Sequence, residues 1–416
     1  MKKDSAAYRL IGPFRQIITF KDAPLKGPLD ERQLGVIQAG AVVVCDGHVV
    51  AVGEMESLSS IYKAAAYEPV EGDKVLLPGF IDAHTHILFA GSRSKDYGMR
   101  LEGKTYLDIA HAGGGIMETV RSTRAADEPS LIKKLHLRLH KMLQSGITTA
   151  EVKTGYGLNV AEELRLLKIL HDNRDTSVIQ MVPTCLAAHM RPPDFKGDNR
   201  DYLTTIEQEL FEVIAQQGLA KRVDIFVESS AFSAEEARSY LQAAKDKGWA
   251  VTVHADQFTP GGAQLAVKMG ALSADHLEAS REEDIRALAK SNTVATVLPG
   301  ASLGLGIPFA PARKLLDQGA TLAIASDWNP GSAPMGDLLT QAALLSVYQK
   351  LSMAETLAGI TFRAAAALGL YDRGRIAENM IGDMQAYNTA DYRDILYNQG
   401  ALKPAIIWTK SKRYDQ

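Results

Sequence analysis

Cysteine is almost missing from this chain: Cys45 and Cys185 are the only two in 416 residues. A disulfide framework is therefore excluded as the source of stability, and sparse unpaired thiols fit a reducing compartment better than one isolated bridge. Long apolar runs are missing too. No stretch of about 18 apolar residues occurs, so no membrane-spanning helix is expected. The opening Met1-Lys2-Lys3-Asp4-Ser5 carries no apolar signal-peptide core, which sets the expectation of a cytoplasmic enzyme. Neither sign of charge dominates. A formal net charge of -3 offers no footing for nucleic acid or an acidic membrane surface. Periodic repeats and low-complexity tracts are lacking as well, which argues against a solenoid or a linker-rich chain.

The segment Pro78-Gly79-Phe80-Ile81-Asp82-Ala83-His84-Thr85-His86 stands out. Side chains alternate along a strand, so His84 and His86, two positions apart, project to one side and can converge on one point. Neutral imidazoles that converge are good ligands for zinc or iron.

A chain of this length suits one large α/β domain with an appendage. Residues 1–77 read as β. Ala41-Val42-Val43-Val44-Cys45 and His48-Val49-Val50-Ala51-Val52 flank Asp46-Gly47, a strong hairpin signal. So small a β unit needs a partner. The C-terminal segment 371–416, with Met384-Gln385-Ala386-Tyr387 and Pro404-Ala405-Ile406-Ile407-Trp408-Thr409, can supply it, so one small β-sandwich built from both chain ends is expected.

Between them, residues 78–370 alternate short apolar strands with helical stretches, the pattern of βα units on a parallel sheet. Eight strands are expected. The first ends at His84-Thr85-His86. Then follow Thr148–Lys153, Val178–Val182 leading to His189, Val223–Glu228, Ala250–His254, a strand ending at His276, Val294–Leu298 and Thr321–Asp327. Amphipathic helices are expected over Glu162–Leu170, Ala234–Asp246 and Glu282–Lys290. Eight such units favour a TIM-like (β/α)8 barrel over an open sheet.

Chemistry in such barrels collects where the strands end. His84, His86, His254, His276 and Asp327 each follow an apolar run, and buried groups of this kind need partners. A shared metal held by His84, His86, His254 and Asp327 provides one. Nitrogen and carboxylate donors without thiolate mark a catalytic rather than a structural site. A metal ion there lowers the pKa of its water towards ~7. Asp327 can take the proton and pass it to a leaving nitrogen. His276 is free to polarise a carbonyl and stabilise an oxyanion. His136 and His140, four apart on a helix, lack the intervening Glu of a zinc-protease helix. His48, His111 and His171 join no constellation. Gly113-Gly114-Gly115, with no Lys-Ser/Thr after it, is no phosphate loop.

Longer motifs carry a resemblance. They are Phe89-Ala90-Gly91-Ser92-Arg93, Gly113-Gly114-Gly115-Ile116 with Thr119-Val120-Arg121, Lys153-Thr154-Gly155-Tyr156-Gly157-Leu158, His254-Ala255-Asp256-Gln257, Ser273-Ala274-Asp275-His276 and Asp327-Trp328-Asn329-Pro330-Gly331-Ser332. In order and spacing the chain resembles the amidohydrolase superfamily, and within it the imidazolonepropionase family, from Pro78 to about Asn379. The resemblance implies hydrolysis of the cyclic amide 4-imidazolone-5-propanoate to N-formimidoyl-L-glutamate in histidine degradation. It implies that Arg93 binds the propionate carboxylate, a task suited to a guanidinium. It places Tyr106, Tyr156, His189, Gln257, Asn329, Gly331 and Ser332 against substrate or product. Gln257 stands where family members carry Glu or Gln. As Gln it can hydrogen-bond the ring but cannot act as a general base, which leaves proton transfer to Asp327 and His276. Two-metal relatives often use a modified lysine on the fourth strand. Glu228 stands there instead, so one ion per chain, zinc or iron, is expected, with Lys153 in an ion pair or standing behind the metal ligands. A homodimer with a small-molecule substrate completes the expectation. Two alternatives stay open: a deaminase of neutral heteroaromatic bases, which leaves Arg93 without a carboxylate, and a metal-binding scaffold, which needs neither His276 nor Asp327.

Overall fold

The computed structural model describes residues 8–104, 108–109, 112–410 and 412–416. The chain opens with β1 (Arg9–Ile18), β2 (Val36–Cys45), β3 (His48–Glu54), β4 (Ala66–Pro69) and β5 (Val75–Pro78). β2 and β3 form the hairpin expected at Asp46-Gly47, both of which adopt positive φ (48° and 79°), as a tight two-residue turn requires. The chain closes with β14 (Met384–Tyr387), β15 (Pro404–Thr409) and β16 (Lys412–Asp415), after β6–β13 described below.

The two ends meet in one sheet ordered β16-β15-β14-β5-β1-β2-β3, with β4 also paired to β1. The join is the antiparallel pair β5–β14, where Val75 faces Tyr387 and Pro78 faces Met384. This sheet curls on itself. Phe14 on β1 and Trp408 on β15 lie three strands apart, yet their rings sit 6.0 Å from each other, edge to face. Three flat strand spacings would separate them by about 14 Å. Ile11, Ile17, Val42, Leu76, Met384 and Ile406 fill the enclosed core.

Eight parallel strands form the second sheet, in chain order: β6 (Phe80–Asp82), β7 (Ile147–Lys153), β8 (Gln180–Ala188), β9 (Arg222–Val227), β10 (Ala250–Ala255), β11 (Ser273–His276), β12 (Val294–Val297) and β13 (Leu322–Ile324). Helices follow each of them. Helices Ala234–Asp246 and Glu282–Lys290 span the expected residues. The first is capped by Ser233 and Glu236 in a reciprocal box, typically worth about 1 kcal/mol. The helix expected from Glu162 starts at Val160, because Asn159 accepts a hydrogen bond from the Glu162 amide. β8 begins at Gln180 and runs on through Pro183 to Ala188, beyond the expected Val182. A proline ends the apolar reading of the sequence there, but it still packs opposite Val152 of β7.

The barrel closes beyond the strand ends. β6 stops at Asp82, short of His84 and His86, and Thr85 makes an isolated parallel bridge to Trp328. Asp327 N donates to His84 O (3.0 Å) and His86 N to Trp328 O (2.9 Å). Ser326 clamps the same seam, donating through its amide (2.9 Å) and its hydroxyl (2.5 Å) to Asp82. The buried Asp82 carboxyl is pushed up to about 7, mainly by desolvation. Among the described residues no helix is long and apolar enough to cross a membrane.

Candidate active site

The closing seam delivers three of the expected donors to one point. His84 and His86 lie on one side of it and Asp327 on the other, all buried. His84 Nε2 is 3.2 Å from His86 Nε2, and His254 Nε2, from β10, is 3.3 Å from the same atom. Asp327 Oδ1 lies 3.4 Å from His86 Nε2 and 3.6 Å from His84 Nε2. Donors that share one ion at about 2.0–2.1 Å in a tetrahedron are separated by roughly 3.3 Å. The spacing therefore fits a metal.

Proton bookkeeping supports the same fit. His84 Nδ1 donates to Asp275 Oδ2 (2.8 Å), and His254 Nδ1 lies 2.8 Å from Asp224 Oδ2. Each carboxylate holds the proton on Nδ1 and leaves a bare lone pair on Nε2. His86 Nε2 can carry one proton at most, too few to satisfy both lone pairs. Buried acceptors left this way cost free energy, and a divalent cation removes the deficit. Burial above all, with the positive charge of Lys153 and the neighbouring imidazoles, holds His84 well below the usual imidazole range. Burial also leads for His86, so both stay neutral.

His276 ends β11 with its ring 5.4 Å from that of His254 and 5.8 Å from that of His84. Its Nδ1 lies 3.6 Å from Glu278 Oε2, and Ser302 Oγ anchors the other Glu278 oxygen at 3.0 Å. Burial lowers the His276 pKa, but the nearby carboxylate of Glu278, with Asp327 and Asp275, raises it overall. Asp327 is shifted up, chiefly by burial, against the opposing effect of His276 and His254. Asp256, His276, Leu277 and Asp327 all adopt positive φ (54°, 87°, 74° and 49°). Such strain in non-glycine residues concentrates at functional sites.

The remaining expected residues that the structure describes lie on loops that follow the barrel strands. Tyr156 follows β7 on a loop held by the buried Glu163, whose carboxylate accepts from the amides of Gly155 (3.1 Å), Gly157 (2.7 Å) and Leu158 (2.9 Å). His189 follows β8, stacks on His86 at 5.4 Å and points Nδ1 at Gly155 O (3.1 Å). Arg93 binds Asp96 through Nε (2.8 Å), and Asp96 also takes the amide of Gly115 (2.9 Å), so the Gly113-Gly114-Gly115 loop packs beside it. The Arg93 guanidinium lies against Gly331, where an added Cβ would sit 2.5 Å from Nη1. Arg100 donates to Gly331 O from the same side (2.9 Å). Asn329 is largely spent within its own loop. It donates to Asp327 O (2.7 Å) and accepts from the amides of Gly331 (2.7 Å) and Ser332 (2.8 Å). Ser332 Oγ reaches Asp327 Oδ2 at 3.5 Å. Gln257 is half-buried after β10, and its amide bonds no other described residue. Tyr106 and His111 lie outside the described residues.

Sequence reasoning missed the carboxylates behind the histidines. Asp224 is an acid in the middle of an apolar strand, and Asp275 directly precedes His276. Both positions were visible, but not which histidine each would face. Glu228 takes the amides of Ser229 (2.8 Å), Phe258 (2.9 Å) and Thr259 (3.1 Å), so it supports the loop after β10.

Comparison with known proteins agrees with this geometry. A model of the amidohydrolase family matches residues 75–412. The imidazolonepropionase of Symbiobacterium thermophilum is 40% identical over 324 residues, covering 77% of this chain and 76% of that one. The imidazolonepropionase of Geobacillus kaustophilus is 39% identical over 326 residues, covering 77% of each. A solved structure of atrazine chlorohydrolase from Arthrobacter aurescens, complexed with zinc, superposes with a TM-score of 0.69 at 16% identity over 98% of this chain and 95% of that one, which speaks for the fold. With a family model spanning the barrel and relatives this similar over three-quarters of its length, the chain belongs to the amidohydrolase family and groups with its imidazolonepropionases.

Proposed function

We propose that this chain hydrolyses the cyclic amide of 4-imidazolone-5-propanoate to N-formimidoyl-L-glutamate, in the degradation of histidine. The observation that carries the reading is one loop with two chemistries: Asp327 begins it among the three imidazoles, and Gly331, four residues on, lies against the Arg93 guanidinium. Candidate hydrolytic groups and a candidate carboxylate-binding group thus adjoin the two ends of one short loop.

His84, His86, His254 and Asp327 would hold one ion per chain, zinc or iron. When bound, it supplies Lewis acidity and makes water acidic near neutral pH. Arg93 pairs with the propionate carboxylate and fixes the ring's position. Tyr156 and His189 line the ring, and Gln257 offers a donor and an acceptor to its nitrogens. Asn329 shapes the backbone of Gly331 and Ser332 on the substrate side. Water adds to the ring carbonyl carbon, and Asp327 takes its proton. His276, backed by Glu278, donates to the carbonyl oxygen as negative charge builds there. The ring carbon–nitrogen bond then breaks, and Asp327 returns the proton to the departing nitrogen. The reading includes a barrel over 78–370, a cytoplasmic location and a homodimer, the commonest closed assembly.

The test is ring opening of freshly generated 4-imidazolone-5-propanoate, followed by loss of its ultraviolet absorbance, on protein of measured metal content. Metal-dependent loss with N-formimidoyl-L-glutamate as product is expected. No turnover by protein holding about one ion per chain would discard this substrate and turn attention to other cyclic amides and to deamination.

A further inference from the structure

Beneath the four donors lies a fully buried cluster of charge that the reaction does not use. Lys153, the last residue of β7, has no exposed side-chain surface. Its Nζ lies 2.8 Å from Glu151 Oε2, 2.8 Å from Asp224 Oδ2 and 3.6 Å from Asp275 Oδ2. The same oxygen of Asp224 faces His254 Nδ1, and the same oxygen of Asp275 accepts from His84 Nδ1. The main chain of Lys153 reaches the site too, donating from N to the carbonyl of Thr85, between His84 and His86, at 2.9 Å.

We propose that Lys153 is a positioning residue for the metal site: by tying Asp224 and Asp275 to one ammonium group, it fixes the imidazoles of His254 and His84 and sets how tightly the site holds its ion. A carboxylate that accepts from one imidazole alone can swing about its Cα–Cβ bond and carry the ring with it. Thr252 Oγ1 also donates to Asp275 Oδ2 (3.2 Å), and the amides of Ile225 (2.7 Å) and His254 (3.2 Å) hold Asp224 Oδ1. The buried ammonium adds a partner that the two carboxylates share, and so couples the two imidazoles to each other. The third carboxylate, Glu151, pairs with Lys153 and, although within 4.8 Å of His84, forms no hydrogen bond or ion pair with any described histidine. Its other oxygen accepts from Thr184 Oγ1 at 2.5 Å. Glu151 therefore separates the two roles Lys153 can have. If Lys153 only neutralises buried acids, Glu151 and Asp224 are equivalent partners. If it positions ligands, only Asp224 and Asp275 affect the metal. The inference rests on the metal-site reading and is independent of the substrate.

The experiment is zinc titration of the metal-stripped full chain against a chromogenic chelator, with thermal midpoints measured on the same samples. Outer partners of metal-bound histidines typically change affinity by about 10–100-fold. Lys153→Met is expected to raise the zinc Kd at least tenfold, and Glu151→Gln to leave it within about twofold. Lys153→Met combined with Asp224→Asn should bind no more weakly than the worse single variant, because both break one linkage. Should Lys153→Met alone fail to fold, Lys153→Met with Glu151→Gln removes one charge of each sign and serves the same comparison. An unchanged zinc Kd in the folded Lys153 variant, whatever its midpoint, overturns the proposal and leaves Lys153 a purely structural ion. Wild-type chain that binds no zinc and no iron overturns the metal-site reading and this inference with it.

Discussion

For Arg93, the carboxylate-binding role proposed above depends on what its protein contacts leave free. Asp96 occupies its Nε, while its Nη1 end packs on Gly331, where any side chain would displace the guanidinium. Loss of a charge-assisted bond costs roughly 1.5–3 kcal/mol. Arg93→Ala should thus raise KM for the imidazolone substrate by about 10–150-fold with a smaller change in kcat. Steady-state kinetics decide it, and an unchanged KM removes Arg93 from the carboxylate site. Glu278 stands 3.6 Å from His276 Nδ1. It raises the His276 pKa against the effect of burial, so the imidazole keeps its proton to higher pH. Removing that carboxylate lowers the pKa, and the proton is lost at lower pH. In Glu278→Gln the alkaline limb of the kcat/KM profile should move to lower pH, with a reduced plateau. A limb that stays in place would mean that His276 does not act as a proton donor.

At the scale of elements, the barrel shows how loops become precise. The Tyr156 loop has no ladder of its own, and its amides converge on the buried Glu163 carboxylate, carried by helix Val160–Asp172. In Glu163→Ala three buried donors lose their acceptor. Each unmet group costs about 1–3 kcal/mol, less where water enters, so a loss of roughly 3 kcal/mol is expected. The denaturant midpoint measures it, and KM should rise as Tyr156 loosens. A variant of wild-type stability would show that the loop holds itself. The seam between β6 and β13 follows the same logic. Its bonds run through His84, His86 and Asp327, so closing the barrel and assembling the donors are one event.

Across the whole molecule, the two chain ends are mutually dependent. β5 pairs with β14 and then leads through Gly79 directly into β6, so the curled sheet is tied to the strand that leads into the HxH segment. Removing residues 384–416 uncovers the β5 edge and the apolar face that holds Leu76 and Phe14. The truncated chain should accumulate in the insoluble fraction. Soluble protein with a cooperative thermal transition would show the barrel to be self-sufficient.

Much of this was legible from the chain alone, for physical reasons. Strand identity is local: buried parallel strands are short apolar runs, so β7, β9, β10 and β12 lie close to where apolar runs stop at polar residues. The Asp46-Gly47 turn is local as well, since positive φ at two adjacent residues limits which types fit. Convergence of His84 and His86 follows from the two-residue period of an extended chain. Which side chains face one another across the barrel is not local. Asp275 reaches His84 across 191 residues and Ser326 reaches Asp82 across 244, and no periodicity encodes those pairings. Sequence by itself determined the elements and the residue types able to bind a metal. Tertiary structure alone decided that Asp224, Asp275 and Lys153 stand behind the donors, because burial pairs each charge with whatever partner the closed barrel brings within reach.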